Sequence, residues 1–117
     1  GIFVLDQCSI TENRTVNGVS VLTSSAKNRY TGKVQKESDR LSKNVLEEVI
    51  KTTGAKNRGV SYRDDLTGTN WSTSVNTLLE MGFMSNPEED RKMASDDYQN
   101  KIVLGIFNGI EKYLEKR

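Results

Sequence analysis

Short apolar runs separated by polar stretches predict four β-strands in this chain. Residues 2–5 are continuously apolar and include β-branched and aromatic side chains, which is typical of a strand buried in a parallel sheet. Residues 19–23 alternate between apolar and polar positions, which favours a second strand. Residues 58–62 and 75–80 are further candidates, and the last of these runs ends at the carboxylate of Glu80.

Helical spacing of apolar residues predicts a first long helix from Ser38, a candidate N-cap, to residue 52, with Gly54 as its stop. Residues 24–36 are predicted to be a loop. Asn86 and Pro87 predict the start of a short helix ending near Ala94, in which Glu89 is placed to close a capping box.

A last helix is predicted to begin at residues 95–97. Gly105 and Gly109 lie beside its apolar residues and each costs about 1 kcal/mol of helix stability relative to alanine, so we expect close approach to a sheet there. Strands that alternate with helices predict an α/β layered domain with a largely parallel or mixed sheet flanked by helices. One predicted apolar face of this helix comprises Tyr98, Ile102, Val103, Ile106, Phe107, Ile110, Tyr113 and Leu114.

Composition narrows the class of protein. The 117 residues fit one domain, and mixed charges with a net charge of +1 leave no basic surplus that would indicate nucleic-acid binding. No apolar run approaches the roughly 18 residues of a membrane span. The chain begins at Gly1 inside an apolar run, which we interpret as a processed chain or a piece of a longer one, with any targeting segment upstream.

The inventory of metal-binding side chains is small. Cys8 is the only cysteine and there is no histidine, so this chain alone can form neither an internal disulfide nor a Cys/His zinc cluster. We therefore expect Cys8 to be a small packing residue.

One segment carries a specific resemblance. Residues 78–90 read LLEMGFMSNPEED and contain the pattern E-x-G-F-x-S-N, which resembles the signature of zinc-dependent N-acetylmuramoyl-L-alanine amidases. Residues 54–60 and 97–102 resemble two further stretches of that family in the same order. The resemblance implies that residues 1–117 are the carboxyl-terminal part of an amidase catalytic domain, with a sheet that is incomplete relative to the family domain.

The resemblance also implies a function. The family consists of bacterial peptidoglycan hydrolases, such as autolysins, that cleave the amide between N-acetylmuramic acid and L-alanine in the cell wall or outside the cell. It uses zinc, and Glu80 corresponds to its general base and acid. Gln7 stands where a histidine ligand is expected, and an amide is a poor zinc donor, so we expect this chain to bind no zinc. An alternative site from Asp6, Cys8 and Glu80 is disfavoured, because neighbours along a strand point to opposite faces.

Substrate and partner predictions follow from the same resemblance. Arg58, Asn70 and Trp71 are candidates for binding the stem peptide or sugar of peptidoglycan, although a lone tryptophan more often anchors a loop to the core. A strand left at the edge of an incomplete sheet favours a homodimer or a missing amino-terminal segment as its partner. Two other functions stay open: a non-catalytic relative that binds peptidoglycan or a partner protein, and a domain with a purely structural role.

Overall fold

The computed structural model describes residues 2–24, 32–63 and 74–115, which form four strands and three helices. Their order along the chain is two strands, a helix, two strands and two helices, which is the order that the sequence predicts. The elements are β1 (Ile2–Ser9), β2 (Val19–Ser24), α1 (Gly32–Thr53), β3 (Asn57–Arg63), β4 (Val75–Phe83), α2 (Pro87–Met93) and α3 (Asp96–Glu115).

The strands form a mixed sheet in the order β1-β4-β2-β3. β1 runs parallel to β4 and β2 runs parallel to β3, whereas β2 and β4 are antiparallel. The predicted fold class, an α/β domain with a largely parallel or mixed sheet, is confirmed. As a result, the ends of β1 and β4 meet the beginning of β2 at the same edge of the sheet.

β1 is longer and more exposed than predicted. It extends through Ser9, and its Leu5 is 39% exposed. Within the described sheet β1 lies at one end and pairs only with β4, so its apolar run is not covered on all sides as in an interior strand. The prediction of a buried strand is therefore wrong in burial and right in position.

The core lies between β2, β4 and α1. Val21 and Leu79 are register partners on the helix-facing side of the sheet, and both are fully buried. The apolar residues whose helical spacing predicts α1 lie on one side of this helix and pack over them. The helix contributes Leu41, Val45, Leu46 and Val49 to the buried cluster.

The start of α1 differs from the prediction. The helix begins at Gly32 rather than Ser38, so part of the predicted loop is helical, while residues 25–31 lie outside the described residues. Ser38 is not a cap but is fully buried, and its Oγ accepts a hydrogen bond of 2.9 Å from the backbone N–H of Asn76. Four residues on, the Ser42 hydroxyl donates to Thr77 Oγ1 at 2.7 Å. These buried polar contacts connect α1 to β4.

α3 packs on α1 through its glycines. A Cβ added to Gly109 would lie 2.5 Å from the Cα of Val45, and one added to Gly105 would lie 2.6 Å from the Cα of Val49. The expectation that these glycines approach a sheet is wrong, because the surface they meet is a helix. The absence of a side chain at both positions lets the two helix backbones come close together.

The apolar face predicted for α3 is only partly buried. Val103, Phe107 and Leu114 are 63%, 57% and 45% exposed, because they lie outside the side of α3 that packs against the rest of the protein. The buried residues of α3 are Tyr98, Ile102, Gly105, Gly109 and Tyr113.

Candidate functional site

The candidate site lies at the sheet edge where β1 and β4 end and β2 begins. Glu80 on β4 is a register partner of Gln7 on β1 and of Ser20 on β2. Partners in adjacent strands share a face of the sheet, so these three polar side chains project from the face opposite α1. The strand order therefore places Glu80 between an amide and a hydroxyl.

Both carboxylate oxygens of Glu80 are engaged by these neighbours. Gln7 Nε2 donates to Glu80 Oε1 and Ser20 Oγ donates to Glu80 Oε2, each at 3.4 Å. These are long contacts compared with the usual 2.7–3.2 Å of an N–H···O bond, so they orient the carboxylate weakly. Glu80 is half-buried and Ser20 is 9% exposed. The arrangement provides an accessible carboxylate that can accept and donate a proton.

Asp6 and Cys8 lie on the other face of β1. The Cys8 Sγ is 3.4 Å from the Met93 Sδ, and burial, followed by the nearby negative charge of Asp6, raises the pKa of the Cys8 thiol. The expectation that Asp6 and Cys8 point to opposite faces is wrong, since residues two apart on a strand share a face. Asp6 and Cys8 are kept apart from Glu80 because they lie on one face of the sheet and Glu80 lies on the other. A cavity of about 290 Å³ on their side is lined by Asp6, Met81, Met93, Gln99, Ile102 and Val103.

A zinc ion does not fit the donors around Glu80. Across residues 2–24, 32–63 and 74–115, no three histidine, cysteine, aspartate or glutamate side chains are grouped so that they could hold a metal. The neighbours of Glu80 are the Gln7 amide and the Ser20 hydroxyl, and neither is among the nitrogen, thiolate or carboxylate ligands that zinc prefers. The site therefore offers one zinc-preferred donor, the Glu80 carboxylate.

The predicted substrate-binding residues are only partly located. Arg58 is exposed at the start of β3, where it donates to the Asn17 carbonyl at 3.4 Å and its guanidinium lies 5.3 Å from the centre of the Phe83 ring. It is therefore at the same sheet edge as the end of β4. Asn70 and Trp71 lie outside the described residues.

The sequence does not identify Ser20 as a residue of the site. The alternation along residues 19–23 identifies it as the polar member of a strand, but nothing local indicates that this strand pairs with β4. Only the antiparallel pairing brings its hydroxyl to Glu80, which lies 60 residues further along the chain.

In the part of the chain that the structure describes, neither long helix carries an apolar stretch sufficient to cross a bilayer.

Comparison with known proteins identifies the family. The family profile of N-acetylmuramoyl-L-alanine amidases matches residues 8–112. The CwlD amidase of Clostridioides difficile, solved in complex with the GerS lipoprotein, superposes with a TM-score of 0.84 and 29% identity over 99% of this chain and 55% of that chain. The germination-specific N-acetylmuramoyl-L-alanine amidase of Bacillus subtilis is 27% identical over 94 residues, which cover 80% of this chain and 39% of the relative. A putative N-acetylmuramoyl-L-alanine amidase of the same species, YrvJ, is 33% identical over 75 residues, covering 64% of this chain and 14% of the relative.

The resemblance stated from residues 78–90 is thus confirmed. The chain spans 55% of the C. difficile amidase and 39% of the germination-specific amidase, so it corresponds to part of those proteins. With the family profile matched over most of its length, the chain belongs to the N-acetylmuramoyl-L-alanine amidase family.

Proposed function

We propose that this chain is the carboxyl-terminal part of the catalytic domain of a peptidoglycan amidase, in which Glu80 is the general base and acid. The bond cleaved is the amide between N-acetylmuramic acid and the L-alanine of the stem peptide. The observation that carries the proposal is the position of Glu80, half-buried at the sheet edge between Gln7 and Ser20, in a chain that belongs to the amidase family.

The chemistry assigned to Glu80 is proton transfer. Amide hydrolysis needs a base that takes a proton from water as the new C–O bond forms, and an acid that returns a proton to the departing nitrogen as the C–N bond breaks. One carboxylate can do both in turn. Gln7 and Ser20 each occupy one lone pair of Glu80, so both of its oxygens keep capacity to receive the proton.

We propose further that the chain alone does not hydrolyse peptidoglycan. A catalytic zinc site uses three protein ligands and leaves one position for water, and the donors beside Glu80 do not fit that set. Hydrolysis then requires donors in addition to those of this chain, such as those in the part of the related amidases that this chain does not span. The proposed place of action is the bacterial cell wall or the extracellular space, where Arg58, Asn70 and Trp71 contact the substrate.

The second candidate is a non-catalytic relative that binds peptidoglycan or a partner protein. Gln7 favours it, because the amide at this register position donates a hydrogen bond to Glu80 instead of offering an imidazole nitrogen. The solved complex of the C. difficile amidase with a lipoprotein is a precedent for a protein partner in the family.

Three measurements on the purified chain test the proposal that the chain alone does not hydrolyse peptidoglycan. Metal analysis after dialysis against zinc is expected to find no stoichiometric zinc, mass spectrometry is expected to detect no stem peptides released from cell-wall sacculi, and co-sedimentation is expected to show binding to the sacculi. Stoichiometric zinc together with released stem peptides would refute the proposal that the chain alone is inactive.

The role of Glu80 is tested in a complete amidase of the family. Replacing the glutamate at the Glu80 position with glutamine is expected to lower kcat by about 10²–10⁴-fold while zinc content stays unchanged, because only proton transfer is removed. The matched control changes the residue at the position of Glu88, an exposed glutamate in the first turn of α2, to glutamine, where full activity is expected. Unchanged turnover in the variant at the Glu80 position would refute the assignment of Glu80 as general base and acid. The chain would then be no better explained as part of an active amidase than as a non-catalytic relative.

A further inference from the structure

Glu89 is a buried carboxylate in the first turn of α2, and it does not make the capping box that the sequence predicts. The backbone N–H of Asn86 donates to the Phe83 carbonyl at 3.0 Å, so it is engaged by backbone. Asn86 does cap α2 as predicted, since its Oδ1 accepts from Glu88 N at 3.0 Å and from Glu89 N at 3.3 Å. The Glu89 side chain is 9% exposed and turns away from this cap.

The two oxygens of Glu89 accept hydrogen bonds from two distant backbone segments. Oε2 accepts from Gly18 N at 3.0 Å, and Oε1 accepts from Phe83 N at 2.9 Å. Both bonds have the ordinary N–H···O length, and they run from backbone N–H groups to a carboxylate, the class of hydrogen bond that is about twice as strong as a neutral one. A single side chain thus joins α2 to the entry of β2 and to the end of β4.

The backbone on both segments is shaped for this contact. Gly18 has a φ of 118° and Gly82, just before Phe83, has a φ of 153°, a region that favours glycine. A Cβ on Gly82 would also lie 3.1 Å from Glu89 Oε1. Glycine at position 82 therefore leaves the space in which the carboxylate lies against the strand end.

The two segments that Glu89 holds are the ones that flank Glu80. Gly18 lies two residues before Ser20, whose hydroxyl donates to Glu80. Phe83 lies three residues after Glu80 on the same strand. We infer that Glu89 is a positioning residue, which fixes the start of β2 against the end of β4 so that the Glu80 carboxylate stays between Ser20 and Gln7. The catalytic meaning of this position rests on the function proposed above for Glu80.

Nuclear magnetic resonance on the isolated chain tests the inference. Glu89→Gln keeps one acceptor oxygen and turns an NH₂ group toward the other N–H, whereas Glu89→Ala removes both acceptors. In Glu89→Gln we expect the amide of either Gly18 or Phe83 to exchange with deuterium about ten-fold faster or more, as the loss of one charge-assisted bond implies. In Glu89→Ala we expect this at both amides.

The readout that a purely structural role would not move is the side-chain NH₂ signal of Gln7, which belongs to another strand and reports its hydrogen bond to Glu80. We expect this signal to shift in both Glu89 variants. Glu88→Gln is the matched control, since it removes the same charge from the same turn at an exposed position, and it should leave all three groups as in the wild type.

The inference is overturned if both amides exchange at the wild-type rate in Glu89→Gln, if they accelerate equally in Glu88→Gln, or if the Gln7 signal stays unchanged once the amides are freed. Glu89→Gln is close in shape to the native residue, so it provides the test even where Glu89→Ala fails to fold. None of these readouts needs enzyme activity. A failure of the role assigned to Glu80 is seen instead in the kinetics of the complete amidase.

Discussion

Replacing Gly109 with alanine is expected to destabilise this protein, although alanine is the better helix former. The added Cβ would lie 2.5 Å from the Cα of Val45 and 2.9 Å from its backbone nitrogen. Carbon atoms pack favourably at about 3.5–4.0 Å, so α1 and α3 would have to separate by about 1 Å. The atoms in the way belong to the backbone of α1, so no side-chain rotation can relieve the clash.

The magnitude follows from two opposing terms. Overpacking costs about 1–3 kcal/mol, and a clash with backbone puts this site at the upper end. The higher helix propensity of alanine offsets about 1 kcal/mol. The net loss is about 2 kcal/mol, which for a chain of 117 residues corresponds to a fall in Tm of roughly 6–12 °C.

Thermal unfolding followed by far-UV circular dichroism measures this change. The matched control is Asn100→Ala, an exposed position on the same helix, where the free energy of unfolding should stay within about 0.5 kcal/mol of the wild type. A Gly109→Ala protein as stable as the wild type, or more stable, would refute the close helix contact.

Three further predictions concern other parts of the molecule. A hydrogen bond from Lys112 holds the pKa of Glu48 below its usual value, so the stability that Glu48 contributes is present at neutral pH and is lost as the pH falls below about 4.5. The difference in thermal stability between the wild type and Glu48→Gln should therefore shrink as the pH falls through that range, and a difference independent of pH contradicts the ion pair. Because burial raises the pKa of the Cys8 thiol, alkylation of the folded protein near pH 8 should be slower than that of the urea-unfolded chain, and equal rates would show an open thiol. Ser42→Ala should lower the free energy of unfolding by about 1–3 kcal/mol, because it removes the hydroxyl partner of buried Thr77, and adding Thr77→Val should recover part of that loss. Strictly additive effects of the two substitutions would show that the two hydroxyls do not interact.

Several features of the site were accessible from local sequence. The pattern of residues 80–86 located Glu80, and Asn86 followed by Pro87 located the start of α2, because capping depends on a few adjacent residues. The partner of Glu89 was not accessible in this way. Its spacing from Asn86 fits a capping box, and only the return of the chain near Gly18 gives its carboxylate a different pair of donors.

By itself, the sequence determined the order and type of the elements, the α/β class and the chemical inventory of the site, including the lack of histidine. These properties depend on periodicity, caps and composition, which act over a few residues. The tertiary structure decided which strands are neighbours and which helix surface the glycines of α3 meet. It also brought Gln7 and Ser20 to Glu80 across separations of 73 and 60 residues. Such contacts depend on how the sheet and helices pack together, and that information is not carried by any one segment.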